Sequence, residues 1–185
     1  EYADVPAPSI LVRFALKQDA PARALARWPE ARAVAWTTTP WTLPANVAAA
    51  VNPAAEYGRL ANGDWVAVAR YPDETFVERL PGAGLVGWRY EGPFDSIGPG
   101  GEVGHRVIPW DDVSMEEGTG VVHIAPGCGA EDFELSKTFG LDVIAPVDEA
   151  GHFYPTFGWL HGLSTGDAAE QIIGDLEDRG LLAEA

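Results

Sequence analysis

Two stretches of the chain alternate apolar and polar side chains with a period of two. They are Ile10–Leu16 and residues 65–71, and each is bounded by polar or turn-forming residues. This spacing is typical of β-strands that face a core on one side. Five further strands are predicted at residues 33–37, 85–90, 102–108, 121–125 and 143–147. Short strands in this number predict a mainly β fold with a curved sheet or β-barrel core of about six to seven strands.

Short α-helices are predicted at the periphery of this sheet. In the last of them, Asp167 and Glu170 have the spacing of a capping box, an apolar stripe follows, and Gly180 supplies the stop signal. Three shorter helices are predicted at residues 19–28, 73–80 and 131–139. The first two begin at an aspartate and end before a proline, and the third ends before a glycine.

The composition predicts one globular domain spanning residues 1–185. The chain is 46% hydrophobic, and its 21 glycines and 15 prolines favour many short elements over an all-helical bundle. It has neither a long apolar run nor a signal-peptide pattern, so we expect a soluble, cytoplasmic protein. Because the chain does not begin with Met, we expect it to be a piece of a longer protein. Scarce Asn, Gln, Cys and Met, together with many prolines, favour a heat-adapted source.

The net charge is strongly negative, since 12 Lys and Arg residues oppose 28 Asp and Glu residues to give −16. This balance argues against a general binder of nucleic acid or of membrane surfaces. The first 40 residues differ, because five basic residues there oppose four acidic ones. If a phosphate chain contacts this domain, the contact is therefore expected in the N-terminal third. The single cysteine excludes an internal disulfide and a Cys-rich zinc site, and no metal or other cofactor is predicted.

Three consecutive threonines form the first candidate site. Thr37, Thr38 and Thr39 leave a predicted strand and enter a turn fixed by proline, with Trp36 and Trp41 on either side. Each hydroxyl can donate and accept a hydrogen bond, so the group suits the orientation of a water molecule or a sugar hydroxyl. The alternative is an edge strand whose threonines satisfy only the local backbone.

The second candidate site is the segment at residues 118–133. It contains a glycine turn, a strand bearing His123, a glycine-rich loop and a helix start with two carboxylates. We expect Asp132 to be ionised by the helix start and to suit an ammonium ligand, although helix-start electrostatics alone also explains an acid there. His123 is either a structural histidine or a wall of a pocket. Cys128 is either a nucleophile beside His123 and Asp132 or a packing residue.

The two segments together resemble a known family. TTTPWTLPAN at residues 37–46 and GTGVVHIAP at residues 118–126, followed by Glu131-Asp132-Phe133, closely resemble the editing domain of isoleucyl-tRNA synthetase. Residues 143–153 look like the continuation of the same family pattern. The resemblance implies an insertion, the connective peptide, within a larger ATP-binding class I synthetase. The class I signature motifs are absent, so this chain is not expected to activate amino acids.

Related valyl and leucyl enzymes carry similar segments, and an editing domain from one of those enzymes is an alternative. His123 directly before Ile124-Ala125-Pro126 favours the isoleucyl member. Two positions depart from the pattern. Cys128 stands where many relatives have histidine, which weakens a catalytic role there, and Phe133 stands where tyrosine is common.

The resemblance implies a proofreading hydrolase. A pocket that selects isoleucine is known to reject valine only about 150-fold, so a second site must hydrolyse the valine esters that form. The substrate would be valine esterified to the 3′ terminal adenosine of isoleucine tRNA, and valyl-adenylate, with the remainder of the parent synthetase as partner. A non-catalytic β-barrel module that binds an RNA end or a protein is the alternative from another class.

The resemblance also implies roles for the candidate residues. Asp132 would bind the substrate α-ammonium group, and Thr37, Thr38 and Thr39 would hold the adenosine, the ester oxygens and the attacking water. In the substrate pocket, Trp41 would close the side-chain site and His123 would exclude the extra methyl of isoleucine. The catalytic set is therefore Asp132 with the three threonines, and Trp41, His123, Asp132 and Thr39 bind substrate.

Overall fold

The fold is taken from a computed structural model, which describes residues 9–17 and 30–184. These residues contain ten strands: β1 Ile10–Leu16, β2 Arg32–Thr37, β3 Ala48–Val51, β4 Glu56–Arg59, β5 Asp64–Ala67, β6 Glu78–Pro81, β7 Tyr90–Glu91, β8 Arg106–Pro109, β9 Val121–Ile124 and β10 Leu182–Glu184. They also contain two α-helices, α1 Ala130–Phe139 and α2 Thr165–Asp178, and short 3₁₀ helices such as Pro40–Ala45 and Gly98–Glu102. None of the helices in this part of the chain is long and apolar enough to span a membrane.

Seven strands follow one continuous path, β6-β4-β5-β2-β9-β3-β8, and curl into a half-barrel. The other three join through β1, which pairs antiparallel with β2, β7 and β10. The predicted mainly β fold with short helices is thereby confirmed. Most important for the site, β2 and β9 are parallel neighbours with Trp36 opposite Val122, so the two candidate segments lie side by side.

The core forms where the predicted alternation places it. In β1, Ile10, Val12, Phe14 and Leu16 are buried, while the side chains between them are partly exposed. All four residues of β3 are buried, since this strand lies between β8 and β9. The largest buried side chains are aromatic, and they stabilise the interior by removing apolar surface from water.

Helix α2 confirms the predicted C-terminal helix but begins with a different cap. The hydroxyl of Ser164 accepts the backbone N–H of Asp167 at 3.2 Å, so Ser164 rather than Asp167 is the N-cap. Ala168, Ile172 and Leu176 are buried along one face. The helix stops before Gly180, which adopts a positive φ of 71°.

Several predicted elements are wrong or displaced. Residues 73–80 form turns followed by β6 instead of a helix. Antiparallel pairing with β4 satisfies more backbone hydrogen-bonding groups than a helix cap at Asp73 would. Residues 85–87 form a turn, in which Gly87 has a φ of 91°, and the predicted strand is reduced to an isolated bridge at Arg89 and the start of β7 at Tyr90.

Two other predicted strands also differ. Residues 143–147 contribute only an isolated bridge from Val147 to Phe153, and residues 102–108 start in a 3₁₀ helix before β8 begins at Arg106. Strand β5 ends at Ala67 rather than at residue 71, whereas α1 agrees with the helix predicted at residues 131–139. The helix predicted at residues 19–28 lies outside the described residues.

Candidate functional site

A cavity of about 210 Å³ lies where the two candidate segments meet. The end of β2 and the 3₁₀ helix Pro40–Ala45 form one wall, and β9, the following loop and the start of α1 form the other. Its lining residues are Trp36, Thr37, Thr38, Thr39, Thr42, Val122, His123, Ala125, Cys128, Gly129 and Asp132. The fold thus brings the three threonines, His123 and Asp132 together.

The three threonines differ in their surroundings. Thr37 is buried, and its hydroxyl oxygen accepts the backbone N–H of Thr39 at 3.1 Å, as expected for a threonine that satisfies local backbone. Thr38 and Thr39 are exposed on the cavity wall. Their hydroxyls are therefore placed where a ligand entering from solvent would meet them.

His123 is a buried wall of the cavity. Its Nε2 lies 2.7 Å from Thr42 Oγ1, and its Nδ1 lies 2.8 Å from Asn46 Nδ2. Burial lowers the pKa of His123 to about 3, because the charged imidazolium would lose its hydration there. The ring is therefore neutral at physiological pH, and both of its nitrogens are held by neighbours.

Thr42 and Asn46 were not singled out by the sequence analysis. Both belong to the threonine-rich segment, and this membership is the only feature of the sequence that points to them. Their contacts with His123 depend on the 3₁₀ helix that follows Thr39. Thr42 also donates to the carbonyl of Thr39 at 2.8 Å, and the two threonine hydroxyls are 3.3 Å apart. The hydrogen bonds of His123 therefore extend through Thr42 to exposed Thr39.

Asp132 lies in the first turn of α1, after the N-cap Gly129. Its Oδ2 accepts the backbone N–H of Ala125 at 2.9 Å, which orients the carboxylate at the cavity wall. Burial raises the pKa of Asp132 above its ordinary value, the bond from Ala125 opposes the rise, and Glu131 adds to it. The helix start predicts a stabilised carboxylate, whereas in the folded chain the effect of burial on the Asp132 pKa outweighs that of the local hydrogen bond.

Cys128 lines the cavity without the features of a nucleophile. Burial, and then the negative charge of Asp132, raise the pKa of the Cys128 thiol to about 12. At neutral pH the sulfur is therefore protonated. Since the ring nitrogens of His123 bind Thr42 and Asn46, the geometry does not support the Cys-His-Asp alternative.

The indole on the cavity wall is that of Trp36. Trp41 is outside the lining set and packs, partly buried, against the hydrophobic core. Gly118 leaves room for the Trp36 indole beside it. A Cβ added to Gly118, where φ is 69°, would lie 2.9 Å from the indole ring. Gly127 has a similar role, since a Cβ there would lie 1.8 Å from the carbonyl oxygen of Ile144.

The chemistry of the site also depends on whether the described residues have the geometry of a metal site. Among the described residues, no group of three His, Cys, Asp or Glu side chains is arranged to hold a metal ion.

In the N-terminal third, Arg13 and Arg32 both pair with Asp64, at 3.1 and 3.2 Å. These two bases are thus engaged inside the fold.

Comparison with known proteins gives a consistent result. Isoleucine–tRNA ligase from Methanothermobacter thermautotrophicus is 42% identical over 194 residues, covering 100% of this chain. The enzymes from Methanopyrus kandleri and Thermotoga neapolitana are each 40% identical, over 99% and 100% of the chain. The chain is a homologue of one segment of the isoleucine–tRNA ligases. It spans only 18 to 20% of these relatives. No family model matches.

Solved structures agree on the fold. The CP1 domain of a leucyl-tRNA synthetase, GlLeuRS, superposes with a TM-score of 0.66 at 14% identity, covering 96% of this chain and 99% of that one. The editing domain of the P. knowlesi cytosolic leucyl-tRNA synthetase gives 0.65 at 9% identity, covering 95% of each chain. The resemblance inferred from the two motifs is confirmed. Relatives from Methanothermobacter and Thermotoga also fit the heat-adapted composition.

Proposed function

We propose that this chain, as one domain over residues 1–185, is the editing domain of a larger isoleucine–tRNA ligase. It hydrolyses the ester between valine and the 3′ terminal adenosine of isoleucine tRNA, and it hydrolyses valyl-adenylate. The observation that carries the proposal is the convergence of Thr38, Thr39, His123 and Asp132 on one cavity. The remainder of the synthetase is the partner, and the site of action is the cytoplasm.

Asp132 is proposed to recognise the α-ammonium group. Its carboxylate is oriented by the N–H of Ala125 and lies on the cavity wall, so it can accept a charge-assisted hydrogen bond. Burial raises its pKa, and a bound ammonium would offset this rise by favouring the ionised form. The same contact would distinguish aminoacyl esters from other esters.

His123 is proposed to exclude isoleucine by size. Its ring cannot rotate away without breaking the hydrogen bonds to Thr42 and Asn46, and it is neutral because its pKa is about 3. A rigid, uncharged wall suits steric selection better than proton transfer. Valine would fit against this wall, and the additional methyl of isoleucine would collide with it.

Hydrolysis is proposed to depend on orientation of the reactants. The pKa values of His123 and Cys128, about 3 and about 12, are both far from the value that a general base needs at neutral pH. The hydroxyls of Thr38 and Thr39 would hold a water against the ester carbonyl, assisted by the vicinal ribose hydroxyl. Water adds to the carbonyl carbon, the ester C–O bond breaks, and the ribose oxygen leaves with a proton.

The acidity of the chain is compatible with this substrate under one condition. With a net charge of −16, the domain would repel a phosphate backbone, and Arg13 and Arg32 are already paired with Asp64. The rest of the synthetase would therefore bind the body of the tRNA. The domain would receive only the flexible 3′ end.

Calorimetric titration with two non-hydrolysable analogues, valyl-aminoadenosine and isoleucyl-aminoadenosine, tests the proposal. Binding of the valyl analogue with clear rejection of the isoleucyl analogue is expected. Adenosine without an amino acid is the control for recognition of the ammonium group. Equal affinity for adenosine and for both analogues would instead support the non-catalytic module that binds an RNA end.

A further inference from the structure

A chain of hydrogen bonds connects the cavity to a tyrosine in the core. Tyr90, at the start of β7, is fully buried and is not among the residues that line the cavity. Its hydroxyl donates to Asn46 Oδ1 over 2.5 Å. Asn46 in turn contacts His123, so Tyr90 is joined to the cavity wall through one intervening side chain.

The direction of these bonds follows from a backbone carbonyl. Asn46 Nδ2 donates to the carbonyl oxygen of Ala48 at 3.0 Å, and a carbonyl can only accept. The amide nitrogen of Asn46 therefore faces His123, and its oxygen faces Tyr90. Because that nitrogen donates to His123 Nδ1, this ring nitrogen must be the unprotonated acceptor.

The remaining bonds continue in the same direction. With Nδ1 unprotonated, the neutral ring carries its proton on Nε2 and donates it to Thr42 Oγ1. The proton of Thr42 is then free to point at the carbonyl of Thr39, 2.8 Å away. The orientation of the Asn46 amide thus determines which His123 nitrogen is protonated, and how the turn that presents Thr39 is bonded.

We propose that Tyr90 is a positioning residue for the cavity, because its hydroxyl, together with the carbonyl of Ala48, fixes the Asn46 amide and thereby holds His123 in the Nε2-protonated tautomer. Without that hydroxyl, Asn46 Oδ1 is buried and has lost its donor, and only the carbonyls of Ala48 and Ile124, 3.0 and 3.5 Å from Nδ2, still oppose a reversal of the amide. A reversed amide presents its oxygen to Nδ1 and favours the other tautomer. The hydroxyl of Thr42 would then donate to Nε2, and the carbonyl of Thr39 would keep only its bond from the backbone N–H of Thr42.

The position of Tyr90 makes it a firm anchor. Its ring stacks on Phe14 with centroids 4.8 Å apart and packs against His105 with centroids 5.1 Å apart. Burial also raises the pKa of Tyr90 well above its ordinary value, so the hydroxyl keeps its proton and remains a donor. A phenylalanine at this position would retain the ring contacts and lose only the hydroxyl.

The first test is NMR spectroscopy of the imidazole nitrogens of the 185-residue chain, which has four histidines. The expected wild-type spectrum shows His123 with a protonated Nε2 and an unprotonated Nδ1. In Tyr90→Phe we expect a second tautomer or exchange broadening at His123. An Nδ1-protonated His123 in the wild type, which needs no variant, would overturn the proposal, as would an unchanged His123 signal in a folded Tyr90→Phe.

Tyr57→Phe is the matched control. Tyr57 is also fully buried, and its hydroxyl accepts the backbone N–H of Asn52 and donates to the carbonyl of Gly120 over 2.5 Å, rather than contacting His123 or Asn46. It should lose stability to a similar extent and leave the His123 signals unchanged. If both variants altered His123 alike, Tyr90 would be only a structural residue.

The effect on substrate choice rests on the proposed function. Loss of one buried hydrogen bond corresponds to about a five-fold fall in the preference for valyl over isoleucyl analogue in Tyr90→Phe, and Tyr57→Phe should keep the preference. If the wild type binds neither analogue, the proposed function fails. The NMR result still decides the role of Tyr90, because it requires no substrate.

Discussion

The backbone N–H of Ala125 donates a hydrogen bond to Asp132 Oδ2 over 2.9 Å. This contact joins the residue after β9 to the first turn of α1 and closes the glycine-rich loop between them. It holds the carboxylate in a half-buried position, where burial raises its pKa. This one bond therefore fixes the Asp132 carboxylate relative to β9, the strand that carries His123.

Asp132→Asn should weaken binding of valyl-aminoadenosine by roughly 10- to 150-fold, the range for loss of one hydrogen bond to a charged group. The asparagine oxygen can still accept the N–H of Ala125. Since the folded state raises the pKa of Asp132, it disfavours the ionised carboxylate, and removing the charge should not destabilise the fold at neutral pH. Calorimetric titration and thermal unfolding measure the two effects.

Glu131→Gln is the control for Asp132→Asn, because it removes the same charge one residue earlier. Glu131 is exposed and lines a neighbouring cavity, with Trp110 and Glu117, rather than the one that contains Asp132. The affinity of the Glu131→Gln variant for the valyl analogue should stay within about five-fold of wild type. Equal losses in both variants would indicate a general charge effect and would remove the specific role of Asp132.

His123→Ala should admit isoleucine to the site. Removing the imidazole opens space on the cavity wall, and the preference for the valyl analogue should fall by about 10-fold or more. Thr42 and Asn46 would lose their shared partner, at a cost of about 1–3 kcal/mol in folding free energy. Titration with both analogues checks the prediction, and exposed His161, replaced by alanine, is the control. A preference that survives in His123→Ala would place the size selection elsewhere.

The positions of the site residues were predictable because each candidate group is contiguous in the sequence. The threonines occupy one strand end, and His123 and Asp132 belong to one strand–loop–helix unit. Their convergence was not predictable from periodicity, since it depends on the parallel pairing of Trp36 with Val122, 86 positions later. The bond from Tyr90 to Asn46 is a similar long-range contact, and nothing in the local pattern of either residue predicts it.

The wrong predictions came from local signals that tertiary contacts outweighed. Asp73 has the sequence features of a helix cap, yet the chain after it pairs with β4, where Gly82 N also donates to the carbonyl of Ala55. The positions of the two indoles also depend on the fold. The 3₁₀ helix that begins at Pro40 changes the direction of the chain after the threonines, so Trp41 packs on the core and Trp36 lines the cavity.

The stability of the fold should depend on pH through His123. Its pKa is about 3 when folded against an ordinary value of 6.5, so between these values the unfolded chain binds a proton that the folded chain does not. Stability contributed by this group is therefore fully present above pH 6.5 and falls toward pH 3, by up to ~1.4 kcal/mol per pH unit. Urea unfolding of wild type and His123→Gln across this range measures it. A difference between the two proteins that does not change with pH would contradict the prediction.

The Cys128 thiol should react slowly in the folded protein. Its pKa is raised from 9.0 to about 12, so at pH 8 the reactive thiolate should be about 1,000-fold scarcer than in the unfolded chain. Alkylation by iodoacetamide, with the urea-unfolded chain as control, measures this ratio. Because the charge of Asp132 contributes to the shift, Asp132→Asn should speed alkylation. Alkylation could also block the cavity sterically, so Cys128→Ala tests whether the thiol itself is needed. This variant should retain hydrolysis of valyl esters. Abolished hydrolysis would instead establish a cysteine nucleophile.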